Sequence, residues 1–177
     1  MSPSKRNNLY ANSGIVVEIN VHQDIPKYDH FGALKGLEYQ KSLEKLAFTA
    51  GGRTQTAPAQ RLTDFVDGKL SSTLNDSSYQ PGLKSAPLHS LLPKIIGSRL
   101  RTGLKEFGKK MNGYYTEEAN VIGVESRTSS PVSIPRKENL EHTEIEGLYP
   151  CGEGGGYAGG IVSAAMDGER CAEAAIK

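Results

Sequence analysis

The greatest concentration of chemistry in this 177-residue sequence is a run of glycines. Six of the 20 glycines fall within residues 152–160, in the segment Tyr149-Pro150-Cys151-Gly152-Glu153-Gly154-Gly155-Gly156-Tyr157-Ala158-Gly159-Gly160-Ile161. Glycine lets a backbone come close to another molecule. A helix that starts just beyond it offers unpaired N–H groups and a partial positive charge. An electronegative ligand atom, such as a phosphate or a flavin carbonyl, suits that place. Glu153 adds a carboxylate able to accept hydrogen bonds from ribityl or ribose hydroxyls. The alternative is a close-packing turn that holds no ligand; against it stands the conformational entropy lost in ordering so many glycines.

Other patterns carry less. Gly154, Gly156 and Gly159 satisfy G-x-G-x-x-G, but that fingerprint needs a following strand and an acidic residue about 20 positions on. Only 18 residues follow Gly159 and their pattern is helical, so a dinucleotide-fold opening is not expected here. Residues 103–110 (Gly-Leu-Lys-Glu-Phe-Gly-Lys-Lys) mimic a phosphate-binding loop, yet lack its closing Ser/Thr and sit in a helical apolar pattern. The second cluster of interest is Glu125-Ser126-Arg127-Thr128-Ser129-Ser130-Pro131. It gathers one guanidinium and several hydroxyls, a composition for binding a polar or anionic group, or equally a hydrophilic turn before proline. The four histidines (His22, His30, His89, His142) show no metal-ligand spacing. Cys151 is the one thiol beside the glycines, while Cys171 belongs to a helix pattern, so no metal site is expected.

Composition narrows the function classes. The net charge of +1 argues against nucleic acid or an anionic membrane as partner, since both demand a basic surplus. Apolar runs such as Gly14-Ile15-Val16-Val17 fall far short of the roughly 20 residues that span a bilayer. Two cysteines cannot form a disulfide framework, and residues 1–8 are polar without a signal-peptide core, so the expected compartment is the cytoplasm.

Several elements must position these residues. Residues 13–21 are rich in β-branched types and predict a largely buried strand. Leu34, Leu37, Leu43, Leu46, Ala47 and Ala50 line one face of a helix that Gly51-Gly52 stops. Residues 53–88, broken by Pro58, Pro81 and Pro87, read as mostly irregular, with room for a short helix near 61–65. Residues 89–111 predict a second helix with Leu92, Ile95, Ile96, Leu100, Leu104, Phe107 and Met111 inward and Pro93 in its first turn. Residues 119–125, 132–134 and 145–151 read as strands, the last running into the glycines. A final helix over 160–177 has the inner stripe Ile161, Ala165, Gly168, Cys171 or Ala172, and Ala175. The fold class expected is α/β, with α+β as the other possibility.

The residues now point to a family. Gly147 through Gly160, followed by Ile161-Val162-Ser163-Ala164-Ala165-Met166-Asp167-Gly168, resembles the C-terminal signature of bacterial FAD-dependent dehydrogenases, largely uncharacterised relatives of the two-dinucleotide-type flavoproteins. Tyr10-Ala11-Asn12-Ser13-Gly14-Ile15-Val16-Val17, Ala57-Pro58-Ala59-Gln60-Arg61 and Glu125 through Pro131 carry the same resemblance, in the expected order over nearly the whole chain. It implies the C-terminal part of a longer flavoprotein oxidoreductase, lacking the N-terminal Rossmann unit that grips the FAD pyrophosphate. Residues 1–118 would be a partial substrate-side inserted domain, and 119–177 the closing segment of the FAD-binding fold. Gly152, Glu153, Gly154, Gly155 and Gly156 would face the ribityl and pyrophosphate region. Tyr157, Ala158, Gly159, Gly160 and Ile161 would start the helix aimed at the isoalloxazine carbonyl. Arg127, Thr128, Ser129 and Ser130 would lie near flavin or substrate, and residues 1–13 would be a partial active-site segment. No catalytic acid or base is implied. Partners would be the N-terminal FAD-binding part and an unidentified small-molecule substrate, with self-association through exposed apolar surface. Such a chain would be inactive by itself; a different reading is a non-catalytic interaction module that reuses the fold.

Overall fold

The computed structural model describes residue 5 and residues 7–127 and 129–176, so Thr128 of the second cluster lies outside the described residues. The chain forms two compact units: Met1–Ile19 with Leu43–Val124, and Asn20–Ser42 with Glu125–Lys177. The architecture is α/β-like, mixed helices with one small sheet of three strands.

Helix α1 spans Lys35–Ala50, its first half in the second unit and its second half in the first. A 3-10 stretch, Pro26–Leu34, leads into it. Leu43 and Ala47 are buried as the spacing predicts, whereas Leu34, ahead of the helix, is exposed. The helix ends where the Gly51 amide donates to the Ala47 carbonyl and Gly52 turns into the left-handed region at φ +94°. A Cβ at Gly51 would stand on the Thr56 carbonyl, so the stop leaves room only for glycine.

Two strands of the first unit's sheet come from the segment read as irregular, and the third falls within the strand predicted over 119–125. Strand β1 (Ala57–Arg61) lies between β2 (Leu83–Ser85), parallel to it, and β3 (Asn120–Ile122), antiparallel. Proline is rare in a central strand because it has no N–H to give. Pro58 escapes that conflict because the pairing with β3 covers residues 59–61, and its carbonyl accepts the Gly123 amide at 3.1 Å. Gln60, wholly buried, donates from its side chain to the Lys69 carbonyl and accepts the His89 amide at 2.8 Å. That one side chain ties β1 to the turn after helix α2 (Leu62–Asp67) and to helix α3 (Leu88–Leu91).

The predicted helix over 89–111 divides into α3 and α4 (Lys94–Lys110). Leu92, preceding Pro93, adopts an extended conformation (ψ 144°), because a residue before proline is pushed out of the helical region. Pro93 then opens α4 from its cap position. The stripe survives the break except at its end, where Met111 lies beyond α4 and is exposed. Leu92 and Leu104 join Leu62, Phe65, Val66 and Leu88 in the core of this unit, with Ile96 and Leu100 packed against it. Residues 103–110 lie inside α4, where no phosphate loop can form.

Three predicted strands are absent. Residues 13–21 make no strand pairing; half-buried and exposed residues alternate from Ile15 to Val21, and Val16 is largely exposed. Ile15 rests on the core, and the Glu18 carbonyl is met by the Arg99 guanidinium at 2.8 Å rather than by a neighbouring strand. Residues 145–151 are interrupted by Gly147 at φ +74°, which turns the chain so that the Leu148 carbonyl accepts the His142 amide at 2.7 Å. Residues 132–134 find the glycine loop as partner, through a bond from the Ile134 amide to the Gly155 carbonyl at 3.0 Å. Helix α5 spans Ile161–Ala175. No helix among the described residues is long and apolar enough to cross a membrane.

Candidate functional site

The glycine run forms a loop just ahead of α5, within the second unit. Gly152 is buried at φ +64°, and its carbonyl accepts the Tyr157 amide at 3.0 Å. The Gly155 amide returns to the Cys151 carbonyl and the Gly156 amide to the Glu153 carbonyl, so the loop coils upon itself. Two glycines are required by close backbone approach. A Cβ on Gly156, which sits at φ +83°, would lie 2.7 Å from the Val132 carbonyl oxygen; one on Gly155 would lie 3.0 Å from the Cys151 nitrogen. Gly154 differs, since a Cβ there would meet nothing within 4 Å. Gly159 and Gly160 are exposed too, and Ala158 is half-buried. The loop therefore divides into glycines whose space or conformation its own packing uses (152, 155, 156) and exposed glycines (154, 159, 160), of which Gly154 has open space where a side chain would stand.

Helix α5 begins at Ile161 after the Gly160 cap. The Gly160 amide donates to the Ser163 hydroxyl at 3.1 Å, and the Gly160 carbonyl accepts the Ala164 amide at 2.9 Å. Ser163 reaching back to the cap amide is half of a capping box, which holds the loop end against the helix start.

What fixes the loop to the helix is a pair the sequence reading did not single out. Asp167, on the second turn of α5, accepts Arg136 Nη1 at 2.9 Å and Nη2 at 2.8 Å, a two-pronged geometry that suits a guanidinium on a carboxylate. The same carboxylate accepts the Gly152 amide at 2.9 Å. Both side chains are buried, at 9% and 8% exposed. Arg136 also donates to the Pro150 carbonyl at 2.8 Å, and its guanidinium lies 3.6 Å above the centre of the Tyr157 ring, a cation–π contact. The Tyr157 hydroxyl in turn donates to the Ile134 carbonyl at 2.7 Å. Hydrogen bonds from Arg136 and from the Gly152 amide hold the Asp167 carboxyl at a pKa of about 2, and the Asp167 hydrogen bond raises that of Arg136. The guanidinium is thus spent on holding the loop and is not a free cation for a phosphate.

A signal for this pair existed. Asp167 stands four residues before Cys171, on the same helix face. The expected stripe put Ile161, Ala165, Gly168, Cys171 or Ala172, and Ala175 inside, and of these Cys171 is buried. The helix is instead rotated, so that Asp167 and Cys171 are buried, with Ala164, Gly168 and Ala174 half-buried beside them. The larger apolar residues face outward: Ile161 is 92% exposed, Val162 72% and Met166 59%. A buried ion pair took the inner face because Arg136 and the Gly152 amide both need an acceptor there.

Within the second cluster, Ser130 reaches the loop. Its hydroxyl donates to the Val132 carbonyl at 2.7 Å and lies 3.4 Å from the Gly154 carbonyl. Ser129 is exposed, and so is Arg127, whose amide is bound by the Glu125 carboxylate at 3.1 Å. Glu153 is half-buried at the head of the loop. No group of three or more His, Cys, Asp or Glu side chains that could hold a metal ion occurs among the described residues.

Comparison with known proteins agrees with the resemblance in the sequence. Over 169 residues, covering 94% of this chain, it is 40% identical to an uncharacterised protein of Clostridium beijerinckii (strain ATCC 51743 / NCIMB 8052). The chain spans only 31% of that relative's length. Residues 1–128 match the family described as FAD-dependent protein, C-terminal domain-like; the glycine loop lies beyond the matched residues but within a chain that matches over most of its length, and this protein belongs to that family.

Proposed function

We propose that this chain is the C-terminal part of a longer FAD-dependent oxidoreductase, a dehydrogenase, and that its glycine loop faces the ribityl and isoalloxazine side of the flavin. The family assignment and the 31% span of the clostridial relative support a flavoprotein whose remaining length lies elsewhere. The single observation that carries the loop's role is its division of labour. Gly152, Gly155 and Gly156 are explained by packing, while Gly154, Gly159 and Gly160 are exposed beside the start of α5, with open space over Gly154. That surface fits a large planar or hydroxylated ligand, because no side chain stands over Gly154, and first-turn amides of a helix favour a negative or carbonyl oxygen.

Within this reading, Gly154, Gly159, Gly160 and Ile161 give the cofactor its backbone wall. Glu153 accepts from ribityl hydroxyls, and Ser130 sits at the loop's edge. The Arg136–Asp167 pair acts behind the wall: it touches no ligand and sets where the wall stands. When bound, the flavin would supply the hydride-transfer chemistry, and the protein its orientation. Residues 1–118 would belong to the substrate-side inserted domain and 119–177 to the closing segment of the FAD fold. The outward apolar residues of α5 (Ile161, Val162 and Met166) would meet the rest of the longer protein. The isolated chain would then bind FAD poorly and be inactive.

The test is an FAD titration, followed by flavin fluorescence, of this chain and of the full-length clostridial relative. The full-length protein is expected to bind FAD saturably. In the longer protein, Gly154→Val, which places a side chain on the bare face without touching the loop's packing, is expected to weaken binding about tenfold, or about 1.4 kcal/mol. A full-length relative that takes up no flavin would overturn the proposal and favour a non-catalytic interaction module.

A further inference from the structure

Cys151 and Cys171 are 20 positions apart, and the fold brings them together. Cys151 is exposed at the mouth of the glycine loop; Cys171 is 3% exposed on α5. The residues on either side of Cys151 are both anchored to the α5 turn that carries Cys171. Ahead of it, the Pro150 carbonyl lies 3.8 Å from Cys171 Sγ, and Arg136 Nη1 bonds to both of them, at 2.8 and 3.3 Å. Behind it, the Gly152 amide donates to Asp167, one turn before Cys171. Cys151 is thereby clamped from both flanks beside the α5 turn that carries Cys171. The proposed flavin face uses neither sulfur.

We infer that Cys151 and Cys171 form a reversible intrachain disulfide that staples the head of the glycine loop to helix α5. The oxidant is a low-molecular-weight disulfide such as oxidised glutathione. The accessible Cys151 thiolate attacks one of its sulfurs, forming a mixed disulfide and expelling one glutathione thiolate, which takes up a proton. Cys171 then gives its proton to solvent and attacks the Cys151 sulfur, expelling the second glutathione. Two electrons pass from the protein thiols to the oxidant, which ends as two thiols. The order follows from access, because no external disulfide reaches a buried sulfur. Burial pushes the Cys171 thiol pKa up, while the Arg136 guanidinium works the other way, so ring closure quickens as pH rises.

The full chain is incubated with oxidised glutathione, quenched in acid, alkylated, and read by intact mass and non-reducing peptide mapping. The expected product is a monomer that has lost two hydrogens, carries no glutathione, offers no thiol to alkylation and yields a linked Cys151–Cys171 peptide. Dithiothreitol restores both thiols, and thermal denaturation shows a higher midpoint for the oxidised form. Cys171→Ser is expected to stop at glutathione on Cys151. Cys151→Ser, an exposed change that leaves the core intact, is expected to stay unmodified. Wild-type protein that stops at the Cys151 mixed disulfide, keeps both thiols free, or links two chains together would overturn the inference. None of these readouts depends on flavin.

Discussion

In the region 43–124, Phe65, Leu88, Leu62, Val66, Leu92 and Leu104 form one buried apolar cluster, beside which Gln60 and Ser71 are buried with their hydrogen bonds made. In the described residues from 125 onward, the buried ones are Pro150, Gly152, Gly155, Asp167 and Cys171, while Ile161 and Val162 stand in solvent. The first region is ordered by apolar burial, which is non-directional and tolerates approximate fits. The second is ordered by the buried Arg136–Asp167 ion pair, a handful of backbone hydrogen bonds and close glycine contacts, all of which demand particular geometry. Under the proposed function, a region that buries charge and exposes isoleucine is one that meets the rest of a longer protein. This difference favours reading the loop and α5 as one wall of a larger assembly.

The comparison is sharpened most by deleting the centre of the first core. Phe65→Ala should destabilise the chain by about 3–5 kcal/mol, seen as a lowered denaturation midpoint, because it leaves a cavity where the neighbours cannot collapse fully. Loss of under 1 kcal/mol would break the claim that this region depends on apolar packing.

The next largest effect belongs to the ion pair. Asp167→Asn should cost about 3 kcal/mol, since it leaves the Arg136 guanidinium buried without its counter-charge. Replacing both, with Arg136→Met and Asp167→Leu, should recover much of that loss. The pH dependence has a definite sign. The Asp167 pKa is depressed from 3.8 to about 2 in the folded chain. Its contribution is therefore fully present above about 4 and is lost as pH falls toward 2. An acid titration of near-ultraviolet circular dichroism should show this step in the wild type and not in Asp167→Asn.

The smallest effect separates the two kinds of glycine. Gly156→Ala, at positive φ and with its Cβ driven onto the Val132 carbonyl, should cost about 1–3 kcal/mol. Gly154→Ala should change thermal stability by less than about 0.5 kcal/mol. Equal costs at the two positions would erase the distinction between glycines that pack and glycines that leave a bare face.

The sequence by itself determined the elements with strong local pattern. Helix α1 and its glycine stop, the apolar stripe of α4, the start of α5 after the glycine loop and the small-residue character of that helix were all legible, because helical periodicity and capping are local properties. The family resemblance was legible for the same reason, being carried by contiguous motifs. Only tertiary structure decided that Ala57–Arg61, with its proline, is the central strand, because its partners lie some 25 and 60 residues away in the chain. It alone left residues 13–21 unpaired, since a β-branched run needs a neighbour before it becomes a strand. And it alone turned α5 so that Asp167 faces inward beside Cys171. The burial of a charge is settled by where its partner stands, and Arg136 lies 31 residues away, in a segment with no pattern of its own.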